Sequence, residues 1–458
     1  MVTGGGSPFE AVSLERLRRR RTVKWTLYGP DVLAAWVAEM DVDVAPAVKA
    51  ALLDAVERED FGYVEADLSE LTGAASDFFA STYGWDVPAH RVFPVADVLA
   101  GVRGALDTFV APGAPVVVPT PAYPPLFDVV ELSGRPVVAV PMVDEPAGAR
   151  EVGPAPGTDR VQRRPDARGD GDRHPGPGGS DPAGRDRGAR PSARPDDGHR
   201  GGGDPPSVGD PPPGRPALDL ERIDAALAAG AGAVLLTNPH NPTGRVFGAA
   251  ELGALAEVVD RHGARVVADE VHGPLTYPGH PFLPYASVGE AAAAHTVTVT
   301  SASKAWNLAG LKCAQVVTGR DDARRWRAVP LFAVPGPTPL GIAASTAADR
   351  DARDWLAALV VHLDANRRRL ADLVAEELPG VRLLPPEGTF LAWLDCAALG
   401  LDDPARFFLD EARVAVSDGP AYGGPGGGYV QHVRLNFATS TALLDRIVGA
   451  MGAALRRR

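Results

Sequence analysis

The chain has 458 residues, 45% of them apolar, and a formal net charge of −12. That is enough apolar material for a large buried core divided over two or three domains. No apolar run reaches membrane-spanning length, the arginine-rich N-terminus has no apolar stretch behind it, and an acidic surface repels a phosphate backbone. Membrane and nucleic-acid partners are therefore not expected, and a cytoplasmic location is. Two cysteines, Cys313 and Cys396, permit no disulfide framework and too few thiolates for a structural zinc, so no metal is expected.

Strand-like apolar runs alternate with helical periodicity, the pattern of an α/β protein with a mainly parallel sheet. Ala114 to Pro119, Ala231 to Thr237, Ala264 to Ala268 and Thr296 to Thr300 read as buried strands. Gly248 to His262 reads as a helix, because Leu252, Leu255, Val258 and Val259 recur at helical spacing. From about Gly148 to Pro216 the chain is dominated by Pro, Gly, Arg and Asp and is expected to be disordered. It reads as a flexible insertion or as GC-rich sequence translated out of frame, with a basic or Pro-rich interaction tail as a weaker third reading. After residue 330 the chain is mostly helical, with a strand pair around Phe390 to Trp393 and Val433 to Phe437, which suggests a second, smaller domain.

Three strand exits carry candidate chemistry. Thr237 to Gly244 (TNPHNPTG) leaves a strand through two Asn-Pro turns that hold Asn241 in a rigid loop. Val266 to Glu270 (VVADE) puts Asp269 at the end of an apolar strand, where a carboxylate can pair with a protonated pyridine nitrogen, although a helix cap is an equally good use of it. Ser301 to Lys312 (SASKAWNLAGLK) follows the strand of Thr and Val, so Lys304 is expected in a loop at its carboxyl end, where α/β sheets bind ligands. A partly desolvated lysine can form an imine with an aldehyde. A lone lysine of this kind is usually a solvated surface residue; the three in this order are far more specific.

These motifs resemble fold-type I pyridoxal-phosphate (PLP) enzymes of the class I/II aminotransferase group. Lys24-Trp25 and Ala35 to Asp41 (AWVAEMD) are similar to the marks of the cystathionine β-lyase branch typified by the maltose-regulon modulator. The resemblance implies a large domain with a seven-stranded, mainly parallel sheet flanked by helices, plus a small α+β domain. It places residues 1–48 with the small domain, 49–147 and 217–330 in the large one, 148–216 as the insertion and 331–458 in the small one.

Lys304 then matches the Schiff-base lysine, Asp269 the partner of the pyridine nitrogen, and Asn241 the contact to the phenolic oxygen, which His272 is placed to share. Tyr123, in PTPAY, matches the ring that stacks on the cofactor. For the phosphate, Ala96-Asp97-Val98 precedes a helix expected near Leu99, whose first amides suit an anion. Asp97 is itself negative, so its backbone is expected to serve rather than its carboxylate. Ser301 and Lys312 match the hydroxyl and the cation on the phosphate, and Tyr63 the tyrosine reaching the neighbouring subunit's phosphate, which implies a homodimer.

Arg434 matches the arginine for the substrate α-carboxylate, a pairing suited to a planar guanidinium. No second arginine matches the one that dicarboxylate aminotransferases use. The expected activity is carbon-sulfur β-elimination from L-cystathionine or a cysteine S-conjugate. The alternatives are amino transfer from an L-amino acid, or a regulatory binding protein. Gly423 to Gly428 is read as either a mobile loop at the substrate entrance or a plain surface loop.

Overall fold

The computed structural model describes residues 7–145, 214–330 and 332–458. The main sheet is built from β1 (Val92–Val95), β2 (Val116–Thr120), β3 (Val137–Pro141), β4 (Ala233–Thr237), β5 (Arg265–Asp269), β6 (Thr296–Thr300) and β7 (Ala314–Thr318). The spatial order is β1-β7-β6-β5-β4-β2-β3, and only β7 runs against its neighbours. Helices cover both faces, which is why β2 and β4 are buried at every residue and read as continuous apolar runs. Each fully buried valine or leucine there contributes about 1.5–3 kcal/mol. The expected strands are observed with starts shifted by up to two residues, and the helix after β4 spans Ala249–Arg261.

A second sheet, of order β8-β9-β11-β10, comprises β8 (Arg382–Leu383), β9 (Leu391–Asp395), β10 (Ser417–Asp418) and β11 (His432–Asn436). It packs with the helices Arg353–Glu377 and Thr441–Arg456 around a core that includes Leu363, Leu391, Leu435 and Ile447. The expected disordered segment 148–216 lies, for 148–213, outside the described residues. Its expected end needs correction, because Arg215–Ala217 already pairs antiparallel with Val143–Glu145. Backbone pairing does not depend on apolar side chains, so Arg215 and Pro216 read as loop by composition while forming a strand.

The N-terminal strap crosses between the two sheets. Leu33–Ala34 pairs in parallel with Val414–Ala415, and the chain continues through Trp36 to Asp41 past the top of the main sheet. It is clamped by a buried ion pair: Lys24 Nζ lies 2.8 Å from Asp41 Oδ2, with both side chains 1% exposed. Trp25 Nε1 donates to Asp41 Oδ1 at 3.0 Å and Lys24 Nζ donates to the Glu39 carbonyl at 2.9 Å. Removing one member of such a pair strands its partner's charge. Asp41→Ala is therefore expected to cost about 3–5 kcal/mol, read as a lowered urea unfolding midpoint.

Candidate active site

The carboxyl ends of the parallel strands, together with the start of antiparallel β7, converge on one edge of the sheet, and this edge gathers the candidate residues. Asp97, Val98, Tyr123, Asn241, Asp269, His272, Ser301, Lys304 and Lys312 all line one cavity of about 170 Å³. They come from six different strand ends spread over more than two hundred positions of sequence. Arg434 stands on β11 and lines a second cavity of about 440 Å³ that shares Tyr123 as a wall. Tyr63 is fully exposed and lies in a different groove, between the helices Pro46–Glu57 and Pro339–Asp351. A single chain thus does not bring Tyr63 to the cavity.

Lys304 sits in a one-turn helix, Ala302–Ala305, and not in the expected loop. Ser301 caps that turn, its hydroxyl accepting from the Ser303 amide at 3.0 Å while donating to the Cys313 carbonyl at 2.6 Å. Lys304 Nζ donates to the Ala38 carbonyl at 3.1 Å. Burial, reinforced by the Arg434 charge, pulls the ammonium down to about 8, against the opposing pull of Asp269 and Glu39. A good fraction of the amine is therefore neutral near physiological pH, as a nucleophilic lysine requires.

Asp269 accepts from the Val271 amide at 3.2 Å, and burial pushes its carboxyl up to about 6. Its helix-cap reading does not hold, because a loop through His272 follows it. His272 is buried with Nδ1 unpartnered, and burial holds it neutral, with its pKa well below the usual histidine range. Asn241 accepts from Arg434 Nη1 at 2.9 Å, which ties the loop after β4 to β11.

At the other end of the cavity the Asp97 carboxylate has partners of its own. The helix starts at Val98, and the Asp97 carboxylate, not only its backbone, is engaged. Oδ1 caps the Ala100 amide at 2.8 Å and Oδ2 pairs with Lys312 Nζ at 2.7 Å. Burial raises the Asp97 carboxyl, but these two contacts outweigh it and hold the pKa below the usual value. The carboxylate orients the lysine that an incoming anion would meet.

Arg434 is 3% exposed. Besides Asn241, its Nη2 donates to the Trp36 carbonyl at 2.8 Å and to Ser417 Oγ at 3.1 Å, while the guanidinium lies 5.2 Å from the Tyr422 ring centre. Nε is left without a partner. Trp36, Ala38, Ser417 and Tyr422 were not singled out from the sequence. The first two act through carbonyls, which any residue supplies, and the AWVAEMD string was read only as a branch mark. Tyr422 opens the glycine-rich stretch, whose Gly424 packs against Phe127: a Cβ there, at φ +53°, would meet that ring at 2.6 Å.

Pyridoxal phosphate needs a buried amine, a carboxylate for its ring nitrogen, a polar partner for its phenolic oxygen and an anion cradle. The cavity supplies the low-pKa Lys304, a desolvated Asp269 that a cation would relieve, Asn241 beside the unpartnered His272, and Lys312 with Ser301 and the Val98 helix start. The residues fit the group. Among the described residues no cluster of His, Cys, Asp or Glu is arranged to hold a metal ion, and no helix is long and apolar enough to cross a membrane.

The aminotransferase class I and II family profile matches residues 212–451. A Mycobacterium tuberculosis protein provisionally named a cystathionine beta-lyase is 38% identical, over 99% of this chain and 99% of its own. The cystathionine beta-lyase of Corynebacterium glutamicum is 32% identical over 94% of this chain and 96% of its own. In fold, the PLP-bound C-S lyase of Staphylococcus hominis matches with a TM-score of 0.77 over 98% of both chains at 20% identity. By fold, by the gathered strand-end residues and by end-to-end likeness, the chain belongs to the class I and II aminotransferase family of fold-type I enzymes.

Proposed function

We propose that this chain is a PLP-dependent carbon-sulfur β-lyase that cleaves L-cystathionine or a related cysteine S-conjugate to a thiol, pyruvate and ammonia. The observation that carries this reading is the cavity beside Arg434. Tyr28, Trp36, Tyr123 and Tyr422 give it aromatic walls suited to a thioether chain. Arg406, the other arginine on its lining, stands at the exposed rim and is ion-paired with Asp410. A short side chain ending in a carboxylate, as in aspartate, would meet no second arginine deep in this cavity, which argues against that class of substrate; the far amino-acid end of cystathionine, on its longer thioether chain, extends toward the rim. The end-to-end likeness to the Corynebacterium enzyme supports the same choice.

In this reading Arg434 receives the substrate α-carboxylate on its guanidinium, so that the α-hydrogen faces Lys304. Lys304 Nζ takes that proton as general base, and its neutral fraction is maintained by burial. PLP supplies an electron sink for the charge left on the α-carbon. The Asp269 carboxylate holds the ring nitrogen protonated, Asn241 with His272 holds the phenolic oxygen, and Tyr123 packs on the ring. Ser301, Lys312 and the Val98 helix start hold the phosphate.

In this reading a homodimer completes the site, with Tyr63, exposed and away from its own chain's cavity, reaching the neighbouring copy's phosphate site. Leu53, Val56, Phe61 and Phe332 are exposed, apolar surface that a second copy would cover. The main sheet with its helices forms the large domain, and the second sheet with the N-terminal strap forms the small one.

The test is pyruvate release from L-cystathionine by PLP-loaded protein with no keto acid present. Sustained release supports the reading. Its absence, with the cofactor converted stoichiometrically to the amine form by added amino acids, would replace it with amino transfer. No bound cofactor at all would leave only a binding protein.

A further inference from the structure

The strap segment 36–40 lies between Lys304 and Arg434, and every carbonyl along it is held by a side chain. Arg434 takes Trp36, Lys304 takes Ala38 and Asn307 Nδ2 takes Met40 at 2.9 Å. The remaining two are joined by Asn436, whose Nδ2 donates to both the Val37 and Glu39 carbonyls at 2.7 Å each, the latter shared with Lys24 Nζ. Its Oδ1 accepts from the Ala438 amide at 2.8 Å, so the whole carboxamide, 2% exposed, is committed.

The Glu39 amide also donates to the Val37 carbonyl at 2.8 Å, closing a three-residue turn centred on Ala38. Asn436 therefore staples the two flanks of the turn whose central carbonyl receives the Lys304 amine. Arg434 and Asn436 are two residues apart on β11 and so share one face of the strand. One strand face sets both the carboxylate anchor and the peptide that Lys304 touches.

We propose that Asn436 is a positioning residue for Lys304: by stapling the turn Val37–Glu39 it aims the Ala38 carbonyl at Lys304 Nζ, giving the uncombined amine one fixed place opposite Arg434. The catalytic consequence rests on the β-lyase reading; the placement of the amine does not. A carbonyl acceptor favours the charged form of an amine. When Lys304 has taken up a proton, the Ala38 carbonyl thus stabilises it alongside the Asp269 and Glu39 charges, and a loosened turn weakens the base without touching it.

The first readout uses cofactor-free protein. Lys304 is reductively methylated with formaldehyde and cyanoborohydride at a series of pH values and quantified by peptide mass spectrometry. The unaltered chain is expected to show a midpoint near its value of about 8. In Asn436→Ala the charged amine loses its fixed acceptor, so the midpoint falls, by about one pH unit. Ala38→Gly, which keeps the carbonyl but frees the turn, moves it in the same direction and carries the test if Asn436→Ala does not fold. Arg135→Ala removes a buried donor to the Val110 carbonyl far from the site and leaves the midpoint where it was. With PLP restored, Asn436→Ala lowers kcat by about tenfold or more while KM changes by less.

Coincident midpoints in folded Asn436→Ala and the unaltered chain would overturn the proposal, as would an equal shift in Arg135→Ala. If the unaltered chain releases no pyruvate, the β-lyase reading fails while the titration still decides the role of Asn436.

Discussion

Lys304→Ala is expected to lower pyruvate release by about four orders of magnitude or more, since on the proposed reading one change removes both the cofactor's attachment point and the base. The loss should come without a matching loss of stability. Lys304 is partly buried in a setting that disfavours its charge, and among the described residues its side chain makes one hydrogen bond, a 3.1 Å contact to a carbonyl, so the folded chain gains little from keeping it. Initial rates, together with the visible band of the lysine-linked cofactor and thermal melts, check all three points. A variant that binds PLP without that band and melts like its parent would isolate the chemistry. Residual turnover within tenfold of the parent would mean that another group serves as base, and His272, buried and unpartnered at Nδ1, would be the next to test.

Arg434→Ala is expected to lower kcat/KM by about 10² to 10⁴, the worth of two hydrogen bonds between charged groups. Most of the loss should fall on KM, because the carboxylate is bound before and during proton abstraction alike. Arg434→Lys should recover only part of it. An ammonium keeps the charge but cannot hold Asn241, Trp36 and Ser417 while offering a planar fork to a carboxylate. Steady-state rates against substrate concentration separate the outcomes. A variant with normal KM and reduced kcat would place the carboxylate elsewhere. Because Arg434 also ties β11 to the strap, melts of both variants are needed to show that the strap is still in place.

The central strands and the residues at their exits were legible because they are local. An apolar run buried on both faces announces a central strand, and the polar residue that ends it stands at the sheet edge whatever the rest of the chain does. Asn241, Asp269 and Lys304 could be picked out on that basis, and their gathering in one cavity follows from five parallel strands ending on the same side as β7 begins. Arg434 needed the family likeness, since an arginine in an alternating strand is equally at home on a solvated edge.

What the sequence by itself determined, then, was the α/β class, the strand-end residues and the composition of a small site for a PLP-type cofactor. The tertiary structure decided everything that passes through backbone groups or through distant pairs. The carboxylate of Asp97 acts on Lys312, 215 positions away, and Asn436 reaches back to Val37 and Glu39. The Ala38 carbonyl that meets Lys304 belongs to a residue with no polar side chain to mark it. A carbonyl is present at every position of the chain, so only the fold selects the ones that count, and a buried pair is visible only once folding has removed the intervening water.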